Sequence, residues 1–441
     1  MLHMPWLRRY HLLRNWLWVF AFILLLGPSA QPPTDSFERI RAYTRQIEFD
    51  YIDWGLRALG LKIGQAALGV ETYISEDDSH TIVMDYLDMV ARIQQAEGDL
   101  RRIYTDPNVE DVEAATADLG AELDDLYAQR QRLGPLAEAV FQSQLSATVS
   151  DLGFTPGGQP LPPVLYRSTP LPWALVVSPR EVIQQEANIS LQVELNVEDH
   201  VVLEGDIEAG LDMSALVVPV GGIGFYPTMI AQTTNLNWMS EVVAHEWIHN
   251  FLTLRPLGVL YTQSPELRTI NETVASIAGK EIGGQLLLRY YPEFYVPPPP
   301  PSPPQTGNDE APPGPPPEPP AFDFRAEMRE TRETADELLL EGRIEEAEEY
   351  MEARRLIFWE NGYQIRKLNQ AYFAFYGAYA DQPGGAAGED PIGEAVRQVW
   401  ADSNSVFDFV NSMSWVTSVD GLMQLAYGEA NLLDEGVVYL G

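Results

Sequence analysis

Apolar residues recur at three- and four-residue intervals over much of the chain, a spacing that puts them on one face of a helix. Between residues 37 and 149 the pattern is carried by Ile82, Val83, Tyr86, Leu87, Val90 and Ile93, and again by Val112, Leu119, Leu123 and Leu126. Pro107 interrupts it, and Pro135 is placed to open a further helix. These residues predict a helical hairpin or small bundle whose apolar stripes serve as core.

From residue 153 to 173 prolines and glycines dominate, which marks a linker. Short apolar runs at 174–177 and 215–220 predict strands, and residues 189–197 alternate weakly. Gly221, Gly222 and Gly224 support a tight turn into a further strand at 225–230. No Gly-Lys-Ser/Thr follows them, so a phosphate loop is excluded. Asn235 or Asn237 can cap a helix running to about Thr253, and a second helix is expected from Pro265 to about Tyr291. The predicted fold class is therefore α+β, mainly α, with a small and mainly antiparallel sheet beside the central helices.

Residues 296–321 are largely proline with Ser, Gly and acidic residues, a composition that cannot build a core and reads as an extended, solvated insertion. Residues 322–380 are charged and helical with a break at 341–343, and helical spacing returns from Ile392. At the other end Arg8, Arg9 and Arg14 precede the apolar run 16–26, followed by a Gly-Pro-Ser-Ala exit at 27–30. That order reads as a signal peptide or a retained signal anchor over residues 1–33, with the rest of the chain exported from the cytoplasm. The organisation is then a helical region at 34–152, a central unit at 153–295, the Pro-rich insertion, and a helical region at 322–441 that completes the central unit.

The 441 residues carry 64 acidic and 28 basic side chains, a net charge of −36 that repels phosphate backbones and excludes nucleic acid as a partner. There are no cysteines, so a transition-metal site must use His and carboxylates. Of six histidines, two stand together in His245-Glu246-Trp247-Ile248-His249. Four-residue spacing on a helix turns both imidazoles to one face, where they can share a metal ion at about 2.0–2.1 Å. Glu246 projects beside that ion, placed to take a proton from a water. Val242, Val243, Trp247, Ile248, Phe251 and Leu252 surround the motif, and polar groups in so apolar a helix need hydrogen bonds or a metal. A catalytic zinc requires a third protein ligand and an open fourth position. Glu272, 23 positions after His249 and in an uncharged stretch of the next predicted helix, supplies that ligand.

With His245, Glu246, His249 and the Asn271-Glu272-Thr273-Val274-Ala275 segment in view, the chain resembles the gluzincin metallopeptidases. The Asn-Glu-x-x-Ala form is similar to that of the membrane alanyl aminopeptidases. More loosely, Leu368-Asn369-Gln370-Ala371 after a charged helical segment resembles a group of bacterial aminopeptidase-like proteins. The firm resemblance spans residues 236–288. It implies one Zn2+ held by His245, His249 and Glu272, with Glu246 as general base. It also implies a His or Tyr that stabilises the oxyanion; no His lies beyond His249, and of Tyr372, Tyr376 and Tyr379 the first two are favoured. The chain departs from the pattern in two places. The Gly-x-Met-x-Asn strand of the alanyl aminopeptidases is absent, which leaves endo- and exopeptidase action open. Ser276 stands where thermolysin-like relatives carry an Asp.

The expected function is zinc-dependent hydrolysis of a peptide or protein substrate, with possible membrane anchoring through the N-terminal apolar segment. The alternative is a metal-free binding or scaffold protein of similar fold. An intramembrane protease is set aside because Asn237, Glu241, Asn250 and Arg255 interrupt the apolar residues around the motif.

Overall fold

The helical spacing of residues 37–149 is realised, in the computed structural model, as four helices. They are α1 (Ser36–Thr44), α2 (Tyr51–Leu68), α3 (Glu76–Thr105) and α4 (Val112–Asp151). The structure describes residues 35–105, 109, 111–155, 158–297, 322–382 and 385–428, so the N-terminal apolar run, Pro107 and nearly all of the Pro-rich insertion lie outside the described residues. No described helix is long and apolar enough to cross a membrane. The chain divides into two compact units, Met1–Arg45 and Gln46–Gly441. In the first, Glu38 on α1 pairs with Arg41 at 3.3 Å and Arg45 at 2.5 Å.

The second unit begins with α2, and α3 and α4 form the expected antiparallel pair, packed through Met89, Ile93, Leu123 and Leu126. Pro135 does not open a helix; it lies inside α4. An interior proline costs about 3 kcal/mol, and here burial of Ala137, Val140, Phe141, Leu145 and Val149 on the following turns offsets it. Lys62 of α2 reaches Glu138 of α4 at 2.6 Å, both buried, and desolvation lowers the lysine pKa.

Residues 153–173 are not a linker. Phe154 is fully buried and meets Trp247, Phe251 and Phe407 edge-on at 5.5, 5.2 and 5.2 Å. Burying a ring of this size stabilises by about 1.5–3 kcal/mol. Tyr166–Ser168 form strand β1. The strands β2 (Trp173–Pro179), β3 (Ala187–Leu191) and β4 (Met213–Val218) make an antiparallel sheet in the order β3-β2-β4; the apolar runs predict β2 and β4, whereas the alternation at 189–197 is strand only to Leu191. The single expected sheet is in fact two, because β1 pairs in parallel with β6 (Thr228–Ile230), which pairs antiparallel with β5 (Gly222–Ile223). The outer side of β1 is closed by α4: Gln142 Oε1 accepts from Tyr166 N and Glu138 Oε1 from Ser168 N, each at 3.0 Å. That leaves β5 as the open edge of the second sheet.

One helix escaped the apolar pattern. Helix α5 (Val197–Leu211) starts with a capping box in which Asn196 accepts from the Asp199 N–H and Asp199 accepts from the Asn196 N–H. The central helices fall where expected: α6 (Leu236–Leu252), capped by Asn235, and α8 (Pro265–Tyr290), capped by Ser264, joined through the short α7 (Pro256–Val259). After the Pro-rich insertion come α9 (Phe324–Leu340), α10 (Ile344–Glu360), α11 (Gln370–Tyr376), α12 (Pro391–Asp402), α13 (Val406–Met413) and α14 (Val419–Tyr427). The architecture is α+β and mainly α, with α3, α4, α6, α8 and α12–α14 sharing one core.

Candidate metal centre

Helices α6 and α8 pack at glycine contacts that bring their backbones unusually close. A Cβ at Gly279 would lie 2.9 Å from the Glu241 carbonyl oxygen and 3.0 Å from His245 Cα; one at Gly283 would lie 2.9 Å from Glu241 N. Only glycine fits, and the close approach sets His245 and His249 of α6 against Glu272 of α8. The two imidazole Nε2 atoms stand 3.0 Å apart, and each is 3.4 Å from Glu272 Oε2. A tetrahedral zinc with bonds of about 2.0–2.1 Å has ligand–ligand edges of roughly 3.3 Å, so the donor triangle has the right size.

Polar partners orient these three donors. Asn271 Nδ2 donates to the Leu257 carbonyl of α7 at 3.2 Å, which turns its Oδ1 toward His249 Nδ1 at 2.8 Å. His249 therefore carries a proton on Nδ1 and presents Nε2 to its neighbours, the tautomer suited to a metal ligand. Ser276 Oγ lies 3.4 Å from His245 Nδ1, a long contact. Tyr261 donates to Glu272 Oε1 at 2.5 Å.

The donor chemistry fits a divalent cation. Glu272 Oε2 is buried without a hydrogen-bond partner, and two imidazole nitrogens meet head to head. In the protein alone a proton must stand between such groups. Burial would depress His249, but the Glu272 carboxylate prevails and raises it to about 9. Burial would likewise raise Glu272, and the imidazoles hold it well below the usual carboxylate range. Uptake of a cation at neutral pH would displace the proton from His249. Among the described residues, His245, His249 and Glu272 are the group of three donors close enough to hold a metal.

Glu246, 7% exposed, faces β5. Burial pushes its carboxyl above the ordinary value, opposed by the two imidazoles. A Cβ at Gly222 would come within 2.6 Å of Glu246 Oε1, and one at Gly224 within 3.3 Å of Oε2, so strand and carboxylate touch. The obstructed atoms, Oε1, Cγ and Cδ, all belong to the buried Glu246 side chain, so Gly222→Ala is expected to displace the carboxylate. Melting temperature should fall by several degrees, as for overpacking costing about 1–3 kcal/mol, and any turnover that uses Glu246 should drop about tenfold or more.

The group opens on a cleft of about 820 Å3, walled by α6 and α8 on one side and by Ala174, Asn188, Ser190 and Val220 of the first sheet region on the other. The tyrosines sort differently from the helical reading. Helix α11 ends at Tyr376, and Gly377 turns the chain, so Tyr379 is not on the helix that carries Tyr372. Tyr372 packs against the first sheet and the α9–α10 pair and does not line the cleft. Tyr376 does line it, and so does Tyr379, whose ring is 6.4 Å from that of His245. Burial first, then the charge of Glu272, raises the Tyr379 pKa well above the ordinary phenol value. Tyr261, overlooked in the sequence, lines the cleft too, its ring 6.0 Å from His249.

The Leu368–Ala371 segment acts as a clamp. Asn369 caps α11 and donates to the Ala215 carbonyl of β4 at 3.1 Å, while Gln370 donates to the Arg180 carbonyl at 2.8 Å. These bonds hang the tyrosine-bearing helix on the sheet, over the cleft.

No family model, curated protein or solved structure matches the chain.

Proposed function

We propose that the chain is a zinc-dependent peptidase of the gluzincin type, exported from the cytoplasm, in which His245, His249 and Glu272 hold one zinc ion and Glu246 is the general base. The observation that supports this most is the partnerless, buried Glu272 Oε2 in a zinc-sized triangle of donors, next to a second buried carboxylate and open to a cleft. Zinc in that position would act as a Lewis acid, polarising the scissile carbonyl and acidifying a water. Glu246, with its pKa raised by burial, takes the proton from this water and returns it to the departing amine. Tyr379 is better placed than Tyr376 or Tyr372 to donate to the carbonyl oxygen as charge develops, since among the described residues its hydroxyl has no protein partner and its ring neighbours His245. Tyr261 holds Glu272 in orientation. The open edge of β5, rather than the interior strand β6, is the place for an extended substrate to add its backbone beside Glu246.

The test is elemental analysis of the full chain purified without chelators, together with cleavage of a peptide library. One zinc per chain is expected, with hydrolysis lost on chelation and restored by zinc. Failure to take up any stoichiometric metal, with the fold intact, would replace this reading with that of a metal-free binding protein.

A further inference from the structure

Arg268 lies on α8 one turn before Glu272 and lines the cleft, yet only 7% of its surface is exposed. One guanidinium nitrogen donates to the Ala374 carbonyl of α11 at 3.0 Å. Its Nε is buried and bonded to nothing, and among the described residues no carboxylate lies in ion-pair range of it. The acid one turn further along the helix, Glu272, is not paired with it: its Oε1 accepts from Tyr261 and its Oε2 faces the histidine pair. The guanidinium also stands beside the Tyr261 hydroxyl, where its charge opposes the rise in the tyrosine pKa.

A buried guanidinium with no carboxylate paired to it is costly, and holding the Ala374 carbonyl and the Tyr261 hydroxyl does not require one, since neutral donors would serve. Its planar fork suits a carboxylate better than any other common group. We propose that Arg268 binds a carboxylate of the substrate, so that the cleft selects peptides bearing an anionic group near the cleaved bond. That carboxylate is supplied either by a free C-terminus or by an Asp or Glu side chain. The proposal rests on the peptidase reading only for the class of molecule that enters the cleft.

It is tested by binding rather than turnover, using the full chain with Glu246→Gln and three matched fluorescent peptides. One ends in a free α-carboxylate and has neutral side chains; the second is its C-terminal amide; the third is the amide with one glutamate. One carboxylate-bearing peptide should bind roughly 10- to 100-fold more tightly than the neutral amide, as expected for a charge-assisted pair. Tight binding of the first identifies a C-terminal site, and of the third a side-chain site. Adding Arg268→Gln should erase the preference, and Arg268→Lys should keep part of it. Thermal melts and zinc content report whether the fold survives, and if the Gln variant unfolds, the peptide comparison and the Lys variant still decide. Equal or undetectable binding of all three peptides overturns the proposal, as does a preference that survives Arg268→Gln. A preference that vanishes with Arg268, in a chain whose unaltered form hydrolyses no peptide, would uphold the carboxylate site and sink the peptidase reading instead.

Discussion

Glu246→Gln should retain one zinc per chain and lose peptide hydrolysis by ~10² or more, the order associated with removing general-base catalysis. The amide has nearly the shape of the carboxylate, so its packing against Gly222 and Gly224 is kept. It cannot accept a proton from water, and so the loss belongs to kcat rather than KM. Glu246 is not one of the three donors within metal range, which is why zinc content separates its role from that of Glu272. Parallel measurement of zinc and of kcat on the purified variant checks both halves. Undiminished kcat would remove Glu246 from the chemistry.

The second large effect concerns packing. Gly279→Ala forces a methyl against the Glu241 carbonyl and the His245 backbone, neither of which can swing aside, so α6 and α8 must separate. Overpacking of this kind costs about 1–3 kcal/mol, and shifting a ligand helix should weaken metal affinity by roughly 10- to 100-fold. Five residues along the same helix, a Cβ at Gly284 would meet nothing closer than 3.7 Å. Gly284→Ala should therefore stabilise by up to about 1 kcal/mol through helix propensity, with zinc binding unchanged. Melting curves and zinc titrations of the two variants give opposite signs. If Gly279→Ala melts and binds like Gly284→Ala, the close helix contact is not what positions His245.

How much of this was legible in the sequence depended on whether the signal was local. Helices α6 and α8 were readable because Asn235 and Ser264-Pro265 mark their starts, and the meeting of His245 with His249 because helical spacing fixes their geometry. Helix α5 was not, since its apolar residues are broken by acids; Asn196 and Asp199 were the available clue. The pairing of β1 with β6 joins residues some sixty positions apart, Tyr166 with Thr228, and nothing local announces it. The Pro- and Gly-rich composition around Phe154 concealed a core residue. Tyr261 sits in a turn between helices, where no periodicity points at a partner, and it meets Glu272 only because α7 folds back. The sequence reads Tyr372, Tyr376 and Tyr379 as one aromatic helix and favours the first two, whereas the helix stops at Tyr376 and nothing local singles out Tyr379.

The glycine seam between α6 and α8 also bears on when the donors become ordered. Asn271, bonded to the Leu257 carbonyl, and Tyr261, bonded to Glu272, hold their ligands without help from an ion. In a zinc finger the metal has to recruit its ligands from a disordered chain, and most of its binding energy is used in doing so. Here the entropy of arranging the ligands is lost when the helices pack, before any metal arrives. For a metal bound there, binding energy would be free to appear as affinity, and the ion would leave and return as a reversible occupant of a socket that folding has already built.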